Sequence, residues 1–349
     1  MTWPELLDAV RRYESGYAER PPGHGAGSHA AADPAIRLSL VTDDSRKVQP
    51  GAVFVAIKGA NHDGLEFIPA ACAAGAAVIV AERRIDPPPG VVLYTTPNAS
   101  AWLARAAAAW HGLDRIQRRG ELAVVGVTGT NGKTTTTYLV QSMLASAGRP
   151  CAVIGTVTYD LIGRRIAAPL TTPPAADLAA MLVEAHGHGA RAAAMEVSSH
   201  SLEQHRVDGI RFGVGVFTNL TGDHLDYHGT MEAYAAAKKR LFDLLPRDGA
   251  AVINADDPQA DYMVTDCAAR IIRFGFSPGA ALTADILSMS TDGTRIAIRR
   301  DGRAVETRTP LFGRHNVMNL LGAVGAGLAL GLDLEVAAAG AARLSRVRG

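Results

Sequence analysis

Gly126, Gly129 and Gly132 stand three residues apart and run directly into Lys133 and the threonines Thr134, Thr135, Thr136 and Thr137. Glycines admit phosphate oxygens to backbone N–H groups without a Cβ in the way, a lysine neutralises charge, and a threonine hydroxyl can ligate Mg²⁺. The stretch Gly129-Thr130-Asn131-Gly132-Lys133-Thr134-Thr135 is therefore expected to cradle ATP. Its spacing departs from the commoner Gly-x₄-Gly-Lys-Thr, which needs a glycine where Val127 stands. A glycine-rich turn beside a surface lysine is the plain alternative, and it leaves the threonine run unexplained.

Such a loop works only between a strand and a helix, and the flanking patterns supply both. Residues 122–127 are apolar throughout, and 133–147 have helical character. Beyond them, strand-like runs at 152–154, 192–197, 213–219 and 251–254 alternate with helices at 175–187 and 231–245. This alternation predicts an α/β, P-loop ATPase-type central domain with a mainly parallel sheet and ligands at the carboxyl ends of its strands. Two further polar clusters fall at such ends, 196–200 and 218–224.

Ahead of this block, 1–16 reads as a short helix and 20–27 as a mobile Gly/Pro loop, with His24 and His29 solvated. Strands at 53–57, 76–81 and 91–95 with helices at 64–74 and 99–111 then form a small N-terminal α/β domain. The basic, polar stretch 114–120 reads as the joint, dividing the chain into 1–117 and 118–349.

Composition narrows the function classes. With 35 Lys plus Arg against 34 Asp plus Glu in 349 residues, no basic field argues for nucleic acid. Cys72, Cys151 and Cys267 have no metal or redox spacing and suit a reducing compartment. No basic and apolar leader opens the chain, and the alanine-rich stretches are broken before they reach spanning length. A cytoplasmic, monomeric enzyme without membrane insertion is expected.

Helix 231–245 carries an apolar stripe of Met231, Tyr234, Leu241, Phe242 and Leu245, and Lys238 occupies a slot on the same face. A buried ammonium is costly, so a lysine that snorkels its head to water stays open as the alternative. Asp223, His224, Asp226 and His228 lie just ahead of this helix.

With Met195-Glu196-Val197-Ser198-Ser199-His200 and the glycine loop, the run from Phe217 through Asp223-His224-Leu225-Asp226-Tyr227-His228-Gly229 to Glu232 resembles the Mur ligases, and among them the branch that adds the third residue of the peptidoglycan stem peptide. The likeness extends from Asp44-Ser45-Arg46 to Gly313-Arg314-His315-Asn316-Val317-Met318-Asn319. It implies that a carboxylate of UDP-MurNAc-L-Ala-D-Glu takes the γ-phosphoryl group of ATP to give an acyl phosphate. The amine of a diamino acid, meso-diaminopimelate or L-lysine, then displaces phosphate.

By the same resemblance Lys238 is carbamylated and helps hold Mg²⁺ with Thr134, Glu196 and His224, while Lys133 and His224 take part in catalysis. Asn316 and Asn319 match nucleotide contacts, although His315 stands where an aromatic is frequent. Ser45, Arg46, Asn61 and His62 match the uridine-nucleotide pocket. Thr171, Thr172, Ser198, Gln204 and Arg206 match contacts to the muramoyl-peptide. Mur ligases of this type continue into a third, amino-acid-binding domain that this sequence does not show, so the chain is expected to bind nucleotides without steady ligation. Folylpolyglutamate synthetase and the other stem-peptide ligases share the loop and the ligation logic, but segments 196–200 and 223–229 favour the branch that adds the third residue. A nucleotide-binding module that no longer ligates is the non-enzymatic rival.

Overall fold

The computed structural model describes residues 1–17, 36–59, 62–290 and 292–344. The expected loop 20–27, His24, His29 and Asn61 lie outside them. Two compact units are present. One comprises Met1–Arg115, Pro174–Val183 and Gln204–Ile210, the other Ile116–Pro173, Glu184–Glu203 and Arg211–Gly349.

The first unit is built from α1 (Trp3–Tyr17), β1 (Leu40–Thr42), β2 (Ala52–Val55), α2 (Ile68–Ala73), β3 (Ala76–Ala81), β4 (Val92–Thr95) and α3 (Ala99–His111). Its strands pair in chain order as an all-parallel four-stranded sheet. Such a sheet needs cover on both faces. Trp3, Leu6 and Val10 of α1 and Trp102 and Leu103 of α3 pack on Val53, Val55, Val78 and Val80, while Ile68 and Ala71 lie against Phe54 and Ile79 on the other side. Asn98 caps α3 by accepting from the Ala101 N–H at 2.7 Å, and Gly112 ends it in the left-handed region.

Next comes α4 (Leu113–Arg118), a helix within the polar stretch 114–120 read as the joint. The second unit continues with β5 (Ala123–Thr128), α5 (Lys133–Ser146), β6 (Cys151–Ile154), β7 (Thr158–Asp160) and β8 (Arg165–Ala167). After α6 (Ala175–Gly187) follow β9 (Ala192–Glu196), α7 (Ser199–Glu203), β10 (Val214–Phe217), α8 (Leu225–His228), α9 (Met231–Asp243), β11 (Ala250–Asn254), α10 (Ala260–Met263) and β12 (Arg270–Gly275). The unit closes with β13 (Leu282–Ser290), β14 (Gly293–Arg300), β15 (Arg303–Thr309), α11 (Arg314–Ala329) and α12 (Leu334–Ala342).

These strands make one sheet in the order β15-β14-β13-β12-β11-β10-β5-β9-β6-β7-β8. From β13 to β6 the pairing is parallel, and antiparallel strands extend both edges. One face buries Val125, Val127, Val216 and Val252 under Leu139 and Val140 of α5 and Leu320 and Val324 of α11. On the opposite face Gly126 and Gly215 are register partners on adjacent strands. A Cβ at Gly126 would stand 2.7 Å from Phe212 and 3.0 Å from Leu241, and one at Gly215 would stand 3.3 Å from Phe242. The missing side chains let α9 lie close to β5, which brings Lys238 to the glycine loop.

Candidate functional site

The loop after β5 is held in place by the segment after β10. Thr130 donates its N–H to the Asn219 carbonyl at 2.8 Å, and Asn131 donates its N–H to Asn219 Oδ1 at 3.0 Å. Asn219 Nδ2 and Thr218 Oγ1 both donate to the Asn131 carbonyl, at 3.0 and 2.6 Å. Gly129 has φ 145°, where an L side chain is strained, and its Cβ would collide with Thr218 Oγ1. Peptide N–H groups not spent on this bracing, at the mouth of the 14-residue helix α5, are available to an anion.

Two lysines serve this loop from opposite directions. Lys133 Nζ donates to the carbonyls of Gly129 at 2.9 Å and Thr130 at 2.8 Å, and burial lowers its pKa. Lys238 is 1% exposed; it reaches the same Gly129 carbonyl from α9 at 2.8 Å, with the Tyr234 ring 4.3 Å from its nitrogen. The snorkelling alternative is thereby excluded. Burial, and after it the neighbouring Lys133, push Lys238 down to about 6 against the pull of Asp223. At neutral pH its nitrogen is an amine with a free lone pair.

Glu196 ends β9 fully buried, and four bonds fix it. Its Oε1 accepts from Thr134 Oγ1 at 2.9 Å and from the Thr156 N–H at 2.9 Å, its Oε2 from Thr156 Oγ1 at 3.1 Å, and its carbonyl from Thr172 Oγ1 at 2.8 Å. Thr171 Oγ1 lies 3.1 Å from Thr156 Oγ1, and Thr172 Oγ1 accepts the Ser198 N–H at 3.2 Å. His224 is half exposed, in the left-handed region at φ 53°, with its ring edge-on to His200 at 5.1 Å and Tyr234 at 6.2 Å. His228 is lowered by burial and lies 2.9 Å from Ser199 Oγ. Together Thr130 to Thr134, Thr156, Thr171, Glu196, Ser198, Ser199, His224, Tyr234 and Lys238 line a cavity of about 240 Å³.

A Mg²⁺ ion takes hard oxygen donors and commonly needs only one or two protein ligands beside phosphate oxygens. The Thr134 hydroxyl and Glu196 carboxylate, side by side at the loop, fit that requirement. Among the described residues no group of three or more His, Cys, Asp or Glu gathers to hold a metal alone. A second cavity, about 420 Å³, lies on the other side of the loop, lined by Asn131, Gly132, Asn219, Phe276, Arg314, His315, Met318 and Asn319. There the Arg314 guanidinium stacks 3.8 Å over the Phe276 ring, and Asn319 Nδ2 lies 3.4 Å from Asn316 Oδ1.

The family description "Mur ligase middle domain" matches residues 127–327. The chain belongs to the Mur ligase family. Residues 37–111 match a second family description, "Mur ligase family, catalytic domain". A UDP-N-acetylmuramoyl-L-alanyl-D-glutamate--2,6-diaminopimelate ligase of Geobacter metallireducens is 43% identical over 312 residues, covering 88% of this chain and 60% of the relative. The enzyme of the same name from Synechococcus elongatus is 42% identical over 323 residues, covering 88% and 62%. This Mur ligase chain thus spans about three fifths of the length of these relatives. A solved ligase of that name is similar at TM-score 0.77 and 31% identity, over 88% of this chain and 63% of the other. The MurF ligase from Thermotoga maritima in complex with ADP shares the fold, at TM-score 0.58 and 22% identity over 88% and 66%.

In this Mur ligase the expected nucleotide and metal residues all lie in the second unit, with Thr171, Thr172 and Ser198. Ser45, Arg46 and His62 lie in the first, as do Gln204 and Arg206. Arg46 forms a bidentate pair with Asp44 at 2.8 Å, which holds that carboxyl at about 2. Asp44 caps the short turn Ser45–Lys47, its side chain accepting from the Arg46 N–H at 3.0 Å. His62 stands exposed and edge-on to Phe67 at 6.0 Å. Sequence reasoning assigned no role to Thr156, Tyr234, Phe276 or Arg314. Thr156 and Phe276 follow the carboxyl ends of β6 and β12, so the strand-end rule was the signal that could have found them.

Proposed function

We propose that the chain is the nucleotide- and acceptor-binding part of an ATP-dependent amide ligase that adds meso-diaminopimelate to UDP-MurNAc-L-Ala-D-Glu in peptidoglycan precursor synthesis. The observation that carries this reading is the 240 Å³ cavity, in which a phosphate loop, two lysines and a buried carboxylate converge. The names of the relatives supply the substrates. We assign 1–117 to the uridine nucleotide, with Ser45, Arg46, Asn61 and His62 as its contacts, and 118–349 to ATP. The setting is the cytoplasm, where ATP and the UDP-linked precursor are held.

Each residue has a task that its geometry suits. Lys133 now satisfies two loop carbonyls and exchanges them for β- and γ-phosphate oxygens when ATP enters. Gly129 to Thr135 supply N–H groups and hydroxyls, and Asn316 and Asn319 lie toward the nucleoside side. Thr134, Glu196 and His224 would hold a Mg²⁺ ion, which would neutralise the charge of the phosphates that the acceptor carboxylate must approach. Thr171, Thr172, Ser198, Gln204 and Arg206 orient that acceptor. Its oxygen attacks the γ-phosphorus, the bond to ADP breaks, and the amine of the diamino acid then displaces phosphate from the acyl carbon. Positioning and charge stabilisation supply most of the rate.

Lys238 reacts first with CO₂. Its neutral nitrogen bonds to the carbon and releases a proton, and the resulting carbamate turns a nitrogen beside the loop into an anionic oxygen donor for the metal. An intact mass higher by one CO₂, absent from Lys238→Ala, tests this step.

Calorimetry tests the reading as a whole. UDP-MurNAc-L-Ala-D-Glu should bind, ATP should bind more tightly with Mg²⁺ than without, and UDP-MurNAc alone should bind more weakly than the dipeptide form. A folded chain that takes up none of these ligands would refute it.

A further inference from the structure

His205 lies between two residues assigned above to the acceptor, and its side chain is held from two sides. Gln204 and Arg206 are bonded to each other, Arg206 Nη2 donating to Gln204 Oε1 at 2.6 Å. The imidazole between them makes two bonds elsewhere. Its Nδ1 lies 2.8 Å from Oδ2 of the buried Asp208, and its Nε2 lies 2.9 Å from Nδ2 of Asn98.

The Asn98 amide has a settled orientation, because its oxygen is spent on capping α3 through the Ala101 N–H. Its nitrogen therefore faces the ring and donates. Nε2 accepts, so the ring proton sits on Nδ1 and is donated to Asp208. One imidazole thus joins a helix cap to a buried carboxylate.

The backbone accommodates this at a cost. His205 has φ 57°, in the left-handed region that a histidine adopts only when its surroundings hold it there. Gly209 finishes the anchor, since a Cβ there would collide with the Ala104 carbonyl of α3. Segment 204–210 is thereby pinned to the first turns of α3 at both ends, by a hydrogen bond and by close backbone packing. The left-handed turn at His205 sets the direction of the chain on either side of it.

We propose that His205, held by Asn98 and Asp208, is a positioning residue that presents Gln204 and Arg206 to the peptide-bearing end of the acceptor. The proposal rests on the reading of Arg206 as an acceptor contact. It extends that site to Asn98, more than a hundred positions away in sequence.

Three variants separate the proposal from the reading beneath it. Asn98→Ser keeps a good helix cap and is too short to reach the ring. His205→Asn tolerates the left-handed backbone and loses the reach to both partners. Arg206→Ala removes the contact itself. Calorimetry with UDP-MurNAc-L-Ala-D-Glu and with UDP alone, alongside melting followed by tryptophan fluorescence, reads them all.

All three should bind the dipeptide-bearing nucleotide about tenfold or more weakly, the scale of one charge-assisted hydrogen bond. UDP affinity should stay unchanged and each variant should remain folded at the assay temperature, and nitrogen NMR of the parent protein should show His205 with its proton on Nδ1. If Arg206→Ala binds normally, the acceptor reading itself fails. If Arg206→Ala weakens binding while Asn98→Ser and His205→Asn do not, the positioning role is overturned. A ring with its proton on Nε2 overturns it as well. Should Asn98→Ser melt early, His205→Asn decides.

Discussion

Replacing Lys238 with methionine should stabilise the second unit at neutral pH and lose that advantage as the medium becomes alkaline. The folded lysine titrates at about 6 instead of its ordinary 10.5, chiefly because burial strips water from the ammonium. Between these values the unfolded chain binds a proton that the folded chain does not, so stability rises with pH across the window. At about 1.4 kcal/mol per unit, the buried lysine disfavours folding at pH 7 by on the order of 5 kcal/mol. Methionine has similar reach and no charge, and it removes the 2.8 Å bond from Nζ to the Gly129 carbonyl, which keeps Lys133 as a donor, at about 0.5–1.5 kcal/mol. The variant should therefore gain about 4 kcal/mol at pH 7, and its advantage should shrink by about 3 kcal/mol by pH 9.

The probe has to report on the right unit. Trp3, Trp102 and Trp110 all lie in the first unit, so their fluorescence does not follow this change. Amide exchange in β5, β10 and α9 does, measured in CO₂-free buffer from pH 6.5 to 9. Added bicarbonate should then stabilise the parent and leave Lys238→Met unmoved. A difference between the two proteins that stays flat from pH 7 to pH 9 would refute the reasoning, because it would mean that Lys238 keeps its proton in the fold.

Three further outcomes follow from the geometry. Gly129→Ala forces a strained φ of about 1–3 kcal/mol and drives Thr218 from the Asn131 carbonyl, so nucleotide affinity should collapse in calorimetry while the first unit melts normally. Glu196→Gln should preserve the fold but remove the gain in ADP affinity that Mg²⁺ confers; an unchanged gain would take Glu196 out of the metal site. Gly126→Val sets two methyl groups against Phe212 and Leu241 and should cost about 1–3 kcal/mol by overpacking, read as faster exchange in α9.

The sequence by itself determined the architecture around the glycine loop. Gly126 to Thr137 marked a strand, a glycine loop and a helix, and the alternation of apolar runs with helices announced a parallel sheet, because both signals are local: a glycine spacing and a period. The same locality explains what was not legible. The strands that extend the sheet at its two ends, β7, β8 and β13 to β15, mix charged with apolar residues, as in Arg303–Thr309, and the short run Ile296–Ile298 of β14 stands between arginines. Periodicity set Lys238 on the buried face of α9 but left open whether its nitrogen reached water. Gly126 and Gly215 decided that, being 89 positions apart in sequence and partners in the sheet, since only their pairing lets α9 descend onto β5. The four bonds on Glu196 and the turn of His205 onto Asn98 likewise join distant segments, and contacts of that range exist only once the chain has folded.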